Sequence, residues 1–251
     1  MGVITVDEAM ADLPQVLQRL WGIEAPARPG PKPAFQLSDI GRAAIKLADA
    51  GGLAAVSMSK VAAELGFTTM SLYRYIDAKD DLYVVMLDQA FGEAPGSPPG
   101  EDWRSRITAW AEAFRDGLRR HPWILQVPVT EPPLSPNQLT WMESAMDAFD
   151  GTPLAPNERL SSMLLVNIYV RGTVQLAMGL LTRTPEEAAA ADRLYNDRLR
   201  MLATEDRFPA IATITQQPIP EQLDVDFETE GFRDGLNTVL DGIQARIERA
   251  G

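Results

Sequence analysis

The chain has 251 residues, of which 45% are hydrophobic and 23% charged, so it can bury a sizeable core and wholesale disorder is excluded. It contains no cysteine and one histidine, which excludes disulfides, cysteine nucleophiles and multi-histidine metal centres. Its formal net charge of −12 argues against nucleic acid as a partner unless positive charge is concentrated locally.

Neither a membrane span nor a secretory signal is indicated. No apolar run reaches the roughly 18 residues needed to cross a bilayer. The opening residues, MGVITVDEAMADLPQ, lack the basic and apolar regions of a signal peptide. From these observations we expect a cytoplasmic protein with no membrane partner.

Positive charge is concentrated in one stretch. Residues 28–76 carry six basic and three acidic side chains, a local excess of +3, whereas the segments on either side are acidic. A small basic module on an acidic body suits a local DNA contact. A chance fluctuation of the same size is the alternative interpretation.

The first 36 residues are interpreted as an N-terminal extension. A short helix is expected around residues 13–20. Residues 26–34, PARPGPKPA, contain four prolines, which exclude a regular element and indicate a linker or an extended arm. Its two charged side chains, Arg28 and Lys32, are both basic.

Residues 38–91 carry dense helical signals. Ser38 is expected to cap a first helix, and Ser57 a second helix that ends at Gly66. A third short helix begins only about three residues later, near Thr69, and continues through Tyr75. Two short helices joined by a tight glycine-containing turn are typical of a helix-turn-helix, whose second helix enters the DNA major groove with its N-terminus first.

The third helix carries side chains of two kinds. Leu72 and Ile76 are expected to face the core, and Lys79, where the next helix begins, to meet a phosphate. Polar side chains able to hydrogen-bond to bases and phosphates lie near its start: Thr68, Thr69, Ser71, Tyr73 and Arg74. Threonine and serine at such positions are also ordinary helix caps.

The remainder of the chain predicts an all-α domain, because no series of alternating apolar runs indicates a sheet. Helix signals recur over residues 101–120, 136–149, 157–182, 185–204 and 228–249. The last of these segments carries an amphipathic apolar stripe running from Phe232 to Ile247.

Aromatic and methionine side chains are frequent in this C-terminal region. Most of them must be core, yet an apolar cavity with a few placed polar groups is how proteins hold a small organic molecule. Candidate pocket residues, aromatic, apolar and polar, are Trp110, Phe114, His121, Trp141, Met146, Asn167, Arg171 and Gln175.

Four of these candidate positions have a competing interpretation. Asn167 and Arg171 are four residues apart and share a helix face that Gln175 continues. That face would line a ligand cavity, or it would be solvated or lie against a second subunit. His121, in the sequence RHPW, would line the pocket, or it would be a helix-end histidine favoured by the helix dipole.

Residues 37–91, LSDIGRAAIKLADAGGLAAVSMSKVAAELGFTTMSLYRYIDAKDDLYVVMLDQAF, resemble the DNA-binding domain of the TetR family of transcriptional repressors. Three later stretches resemble the effector domain of the tetracycline-repressor type: RRHPW, ERLSSMLLVNIYVRGTVQLAMG and FETEGFRDGLNTVLDGIQARIE. The resemblance implies a three-helix helix-turn-helix DNA-binding domain over residues 37–92. It is followed by a helical ligand-binding and dimerisation domain over residues 101–251.

The resemblance also implies that residues 68–75 are the recognition helix, and it implies roles for individual residues. It adds Met70 and Tyr75 to the DNA-contacting positions, supports a phosphate contact for Lys79 and allows a backbone contact for Lys60. The implied function is a ligand-responsive regulator, by family default a repressor. It would bind a palindromic operator in double-stranded DNA as a homodimer and be released by a small organic effector. The dimer would form through residues 157–182 and 228–249.

Other functional classes have less support. We find no G-x-S-x-G, P-loop, G-x-G-x-x-G or H-E-x-x-H motif, so we expect no enzymatic activity, cofactor or metal site. A helical small-molecule-binding protein that does not bind an operator is the alternative.

Overall fold

A computed structural model describes residues 13–23, 35–96, 102–129, 132–178, 184–215 and 225–251. These residues form eleven α-helices and no strand, which confirms the all-α prediction. The chain divides into two compact units, Met1–Arg171 with Arg249–Gly251, and Gly172–Glu248. The proline-rich arm expected over residues 26–34 lies outside the described residues.

The helices of the first unit follow closely the order expected from the sequence. They are α1 (Gln15–Leu20), α2 (Leu37–Gly51), α3 (Met58–Glu64), α4 (Thr69–Leu72), α5 (Lys79–Phe91), α6 (Trp103–Arg120), α7 (Pro136–Asp147) and α8 (Pro156–Ala177), the last continuing into the second unit. Two 3-10 turns, Leu53–Ala55 and Pro122–Gln126, lie between α2 and α3 and after α6.

Helix α2 begins two residues earlier than the sequence suggested. The expected cap, Ser38, lies within the helix, and Gln36 occupies the N-cap position. The backbone N–H of Gln36 donates to Asp39 Oδ2 at 2.7 Å, so the acidic side chain in the first turn satisfies the backbone at the helix start. The prediction that Ser38 caps this helix is therefore wrong.

The two residues predicted to delimit α3, Ser57 before it and Gly66 after it, are both confirmed. Ser57 Oγ accepts from the backbone N–H of Lys60 at 3.3 Å and caps α3. Gly66 has a φ of +76°, a left-handed conformation that glycine adopts without strain. The backbone N–H of Phe67 then donates to the carbonyl of Ala62 at 2.9 Å, which closes the end of α3.

The core of residues 37–91 lies where α2 crosses α5. Leu72 and Ile76 are fully buried there, as predicted. Gly41 leaves room for the Gln89 side chain, since a Cβ at that position would lie 2.3 Å from the Gln89 side-chain oxygen. The absence of one side chain on α2 thus makes room for one on α5.

The far end of α5 is anchored to the start of α7. The buried carboxylate of Asp88 accepts from the backbone N–H and the side-chain amide of Asn137, at 2.8 and 3.2 Å. The indole Nε1 of Trp141 donates to the carbonyl of Gly92 at 3.1 Å, just beyond the last residue of α5. These bonds attach the C-terminal end of α5 to α7.

The second unit contains the end of α8, α9 (Pro185–Leu202), α10 (Pro209–Thr215) and most of α11 (Val225–Ala250). Thr184 and Glu187 cap α9 reciprocally, with donor–acceptor distances of 3.3 and 2.9 Å. Helix α10 was not predicted. The apolar stripe on α11 is buried at Phe232, Leu236, Leu240 and Ile243.

Candidate nucleic-acid interface and effector site

The predicted recognition helix is much shorter than expected. Helix α4 is only four residues long, so the prediction of a helix over residues 68–75 is wrong at its C-terminal end. The carbonyl of Leu72 accepts from the backbone N–H groups of both Tyr75 and Ile76, at 2.8 and 3.1 Å, and the chain turns there to bury Ile76. We refer to residues 68–75 as the recognition segment.

The recognition segment presents polar and apolar side chains to solvent together. Met70 is 75% exposed and Tyr73 46% exposed, and Thr68 and Arg74 are also exposed. The hydroxyl oxygens of Thr68 and Ser71 lie 3.1 Å apart, so two hydrogen-bonding groups meet at the start of α4. This is a suitable surface for base edges and for the thymine methyl group.

Local acidic residues neutralise part of the positive charge around this segment. Arg42 forms an ion pair with Asp39, and Lys46 Nζ lies 2.5 Å from Glu64 Oε1. Lys60 and Arg74 are exposed and form no ion pair with any described residue. Within described residues 35–76, phosphate contacts are therefore left to Lys60 and Arg74.

Lys79 is exposed at the start of α5. Its ammonium group lies 5.4 Å from the centre of the Tyr83 ring. The ring face attracts the cation without pairing it with a carboxylate.

Tyr75 differs from the other candidates because its ring has packing partners on the protein. The ring centre lies 4.7 Å from that of Phe35, which itself packs 4.8 Å from Phe67. The Arg19 guanidinium carbon lies 5.7 Å from the same Tyr75 ring centre. Sequence reasoning missed Phe35 and Arg19, because both lie outside the helix-turn-helix pattern.

Three of the candidate pocket residues form one aromatic cluster. Trp110 and Phe114 stack with ring centres 5.0 Å apart, and Trp141 meets Trp110 edge-on at 6.0 Å. The indole N–H of Trp110 donates to the carbonyl of Trp141 at 2.9 Å. Phe91, which was not a candidate, stacks on Phe114 at 5.2 Å. All three candidates are buried, as their alternative core interpretation requires.

Arg171 and Asn167 adjoin this cluster. The Arg171 guanidinium carbon lies 5.5 Å from the Phe114 ring centre, and its Nε donates to Asn167 Oδ1 at 3.1 Å, which confirms that the two side chains share a face. Burial lowers the pKa of Arg171. Among the described residues, no carboxylate lies within ion-pair distance of it. The arrangement can receive an anionic or carbonyl oxygen.

The other three pocket candidates are Gln175, Met146 and His121. Gln175 is exposed on the part of α8 that belongs to the second unit, and Met146 is half-buried on α7. His121 follows the last residue of α6, where its Nδ1 lies 2.8 Å from Asp49 Oδ1, and its ring centre lies 5.9 Å from that of Trp123. The structure thus places His121 against α2 and at the end of a helix.

Helix α8 also carries large apolar side chains exposed to solvent. In the first unit these are Leu160, Leu164, Leu165 and Ile168, and in the second unit Leu176. The most exposed of them, Leu176 and Ile168, reach 82% and 66%. A contiguous exposed apolar face on a helix is typical of a protein–protein contact.

The structure also bears on the metal site and the membrane span considered from the sequence. Within the described ranges, no three histidine or acidic side chains come together as metal ligands would. None of the described helices combines the length and apolarity that crossing a membrane requires.

Two family matches cover most of the chain. Residues 40–86 match the family described as bacterial regulatory proteins, tetR family, and residues 94–247 match the tetracyclin repressor-like C-terminal domain. The transcriptional repressor DrrR1 of Streptomyces coeruleorubidus is 32% identical over 248 residues, which span 97% of this chain and 90% of that protein. The chain belongs to the TetR family.

Solved TetR-family structures share its fold. Apo ActR from Streptomyces coelicolor superimposes with a TM-score of 0.71 at 24% identity, over 88% of this chain and 100% of that chain. ActR in complex with actinorhodin gives a TM-score of 0.70 at 24% identity, over 85% and 98%. The TetR-family match over residues 40–86 includes all of the recognition segment and Lys79.

Proposed function

We propose that this TetR-family regulator is a ligand-responsive repressor that binds a palindromic operator as a homodimer. Residues 37–92 are its DNA-binding domain, and residues 101–251 its effector and dimerisation domain. The observation that carries the proposal is the recognition segment, which exposes Met70, Tyr73 and Arg74 around the paired hydroxyls of Thr68 and Ser71.

In this proposal the DNA-binding residues make two kinds of contact, one with base edges and one with phosphates. Thr68, Thr69 and Ser71 face base edges, and Met70 supplies an apolar contact. Arg74, Lys79 and Lys60 bind phosphates and fix the register of the protein on the duplex. Tyr75 acts mainly by packing, because its ring lies against Phe35.

The exposed apolar face of α8 supports the proposed homodimer. In the dimer, Leu164, Leu165 and Ile168 would be buried against their copies in a second subunit. Removing these side chains from water stabilises the dimer by about 25 cal/mol for each Å² of apolar surface buried. A two-fold dimer then presents two recognition segments to half-sites about one turn of DNA apart, roughly 34 Å.

For the effector we propose a small aromatic molecule that carries an anionic or carbonyl oxygen. The aromatic cluster of Trp110, Phe114 and Trp141 offers ring faces, and Arg171 beside it offers a cation with no described carboxylate partner. The actinorhodin complex of ActR shows a protein of this fold holding a small molecule. The effector would act by binding the DNA-incompetent form more tightly.

Fluorescence anisotropy tests the proposal directly. The probe is a labelled duplex from the region upstream of the protein's own gene, with a scrambled duplex of the same composition as control. We expect binding to the native duplex alone, with two protomers for each site and an affinity that falls steeply with salt. Equal weak binding to both duplexes would favour the alternative, a helical small-molecule-binding protein without an operator.

A further inference from the structure

The short helix α1 packs firmly, although it precedes the family matches. Val16 and Leu17 are 3% and 6% exposed, and α1 lies against the connecting helix α5. The side-chain amide of Gln18 donates to the carbonyl of Leu13 at 2.9 Å and closes the start of the element. A helix of six residues is not stable alone, so its order comes from this packing.

One side of α1 meets the recognition segment. The guanidinium carbon of Arg19 lies 5.7 Å from the centre of the Tyr75 ring, within the range of a cation–π contact. Phe35 packs on the same ring at 4.7 Å. Tyr75 donates its backbone N–H to Leu72, the last residue of α4, at 2.8 Å. The position of the Tyr75 ring is thereby coupled to the end of α4.

The C-terminal end of α1 contacts the segment that precedes α7. The indole Nε1 of Trp21 donates to the carbonyl of Leu134 at 2.9 Å, immediately before the start of α7. Asn137, in the first turn of α7, is the residue bonded to Asp88 at the end of α5. The contact of Trp21 therefore lies beside the point where α5 is anchored.

We propose that α1 positions the recognition segment relative to the effector domain, with Arg19 acting on Tyr75 and Trp21 acting on the segment before α7. Arg19 and Trp21 are positioning residues, and neither needs to touch DNA. The inference rests on the proposed operator binding for its effect on affinity. The link itself is a property of the free protein and can be measured without DNA.

The experiment compares four single variants of the full chain. Arg19→Gln removes the cation at similar length, Arg19→Lys keeps it, and Trp21→Phe keeps the ring but removes the N–H donor. Gln15→Ala, at an exposed position on the same helix, is the matched control. The measurements are amide exchange at Tyr75 and Ile76, thermal unfolding, and anisotropy with the native and scrambled duplexes.

We expect Arg19→Gln to speed exchange of these two amides and to weaken binding to the native duplex, each by about two- to fivefold. Arg19→Lys should keep both the exchange rates and the affinity close to those of the wild-type protein. The unfolding temperature of Arg19→Gln should match that of Gln15→Ala. Trp21→Phe should speed exchange of the same two amides. Exchange at Tyr75 and Ile76 that matches the control in Arg19→Gln or Trp21→Phe overturns the proposal.

A second background shows whether Arg19 acts through Tyr75. In a Tyr75→Leu protein, the further change Arg19→Gln should have no effect on affinity for the native duplex. If the loss persists, Arg19 contacts DNA itself and the positioning role is wrong. If the wild-type protein binds neither duplex, the proposed operator binding fails, and amide exchange alone then supports or overturns the link.

Discussion

Asp49 and Trp123 are joined by a hydrogen bond of 2.7 Å between the indole Nε1 and the carboxylate Oδ1, although 74 residues separate them in the chain. The same oxygen lies 2.8 Å from His121 Nδ1. Trp123 is only 2% exposed, so its N–H has little access to water as a substitute acceptor. The contact fastens the end of α2 to the 3-10 turn that follows α6.

Replacing Asp49 with alanine should lower the free energy of unfolding by about 1–3 kcal/mol, because the buried indole N–H loses its acceptor. Urea denaturation followed by circular dichroism measures the change. Asp49→Asn keeps an acceptor oxygen and should cost less, and Glu143→Ala, at an exposed position on α7, is the control. An Asp49→Ala protein as stable as the control would show that the bond contributes nothing to folding.

Gly66 should be sensitive to substitution for reasons of backbone conformation alone. Its φ of +76° is unfavourable for residues with a Cβ, yet no atom lies within 4 Å of the position that a Cβ would occupy. We expect Gly66→Ala to destabilise the protein by about 1–2 kcal/mol. Gly66→Asn should destabilise it less, since asparagine tolerates this conformation. Equal losses in thermal unfolding for the two variants would point to a steric cause.

Lys79→Ala should reduce the salt dependence of DNA binding. Removing one phosphate contact lowers the slope of log affinity against log salt by about one. The measurement is anisotropy with the native duplex across a salt series. Lys46→Ala is the matched control, since Lys46 is already paired with Glu64 and should leave the slope unchanged. An unchanged slope for Lys79→Ala would remove Lys79 from the interface.

Two substitutions in the recognition segment should affect general affinity and sequence preference separately. Tyr73→Ala should weaken binding to native and scrambled duplexes alike, because we expect the exposed Tyr73 to hydrogen-bond to a backbone phosphate. Ser71→Ala should reduce discrimination between native and base-substituted duplexes, by roughly 1–3 kcal/mol at the contacted base pair. Competition binding against a set of single-base variants measures both. Identical behaviour of the two proteins would contradict the assignment of roles.

Arg171 should make the effector site selective for anions. Anilinonaphthalene sulfonate and the neutral phenylnaphthylamine share one ring skeleton and differ in charge. We expect Arg171→Gln to reduce affinity for the sulfonate roughly tenfold, through loss of a charge-assisted hydrogen bond, and to leave the neutral probe unaffected. Fluorescence titration measures both affinities.

The control for the anion test is a second arginine stacked on a phenylalanine. Arg207 lies 5.4 Å from the Phe208 ring centre but is exposed in the second unit. Arg207→Gln should bind both probes as the wild-type protein does. A parallel loss of both probes in Arg171→Gln would mean that the substitution disturbs the aromatic cluster, and the proposed anion contact would then be wrong.

The sequence by itself determined the features whose causes lie within about one helical turn. Ser57 caps α3 because its hydroxyl is three residues from the N–H it accepts, and Gly66 ends the helix because it tolerates a positive φ. The shared face of Asn167 and Arg171 follows from their spacing of four. Leu72 and Ile76 are buried, as their apolar side chains predicted.

Tertiary packing decided the features that depend on residues distant in sequence. Helix α4 is short because the chain turns to bury Ile76, and Lys46 is neutralised by Glu64 on another helix. His121 lies against Asp49, 72 residues away, and Trp21 reaches Leu134 across 113 residues. No local pattern encodes such pairs, because each forms only when the helices that carry its two members have packed together.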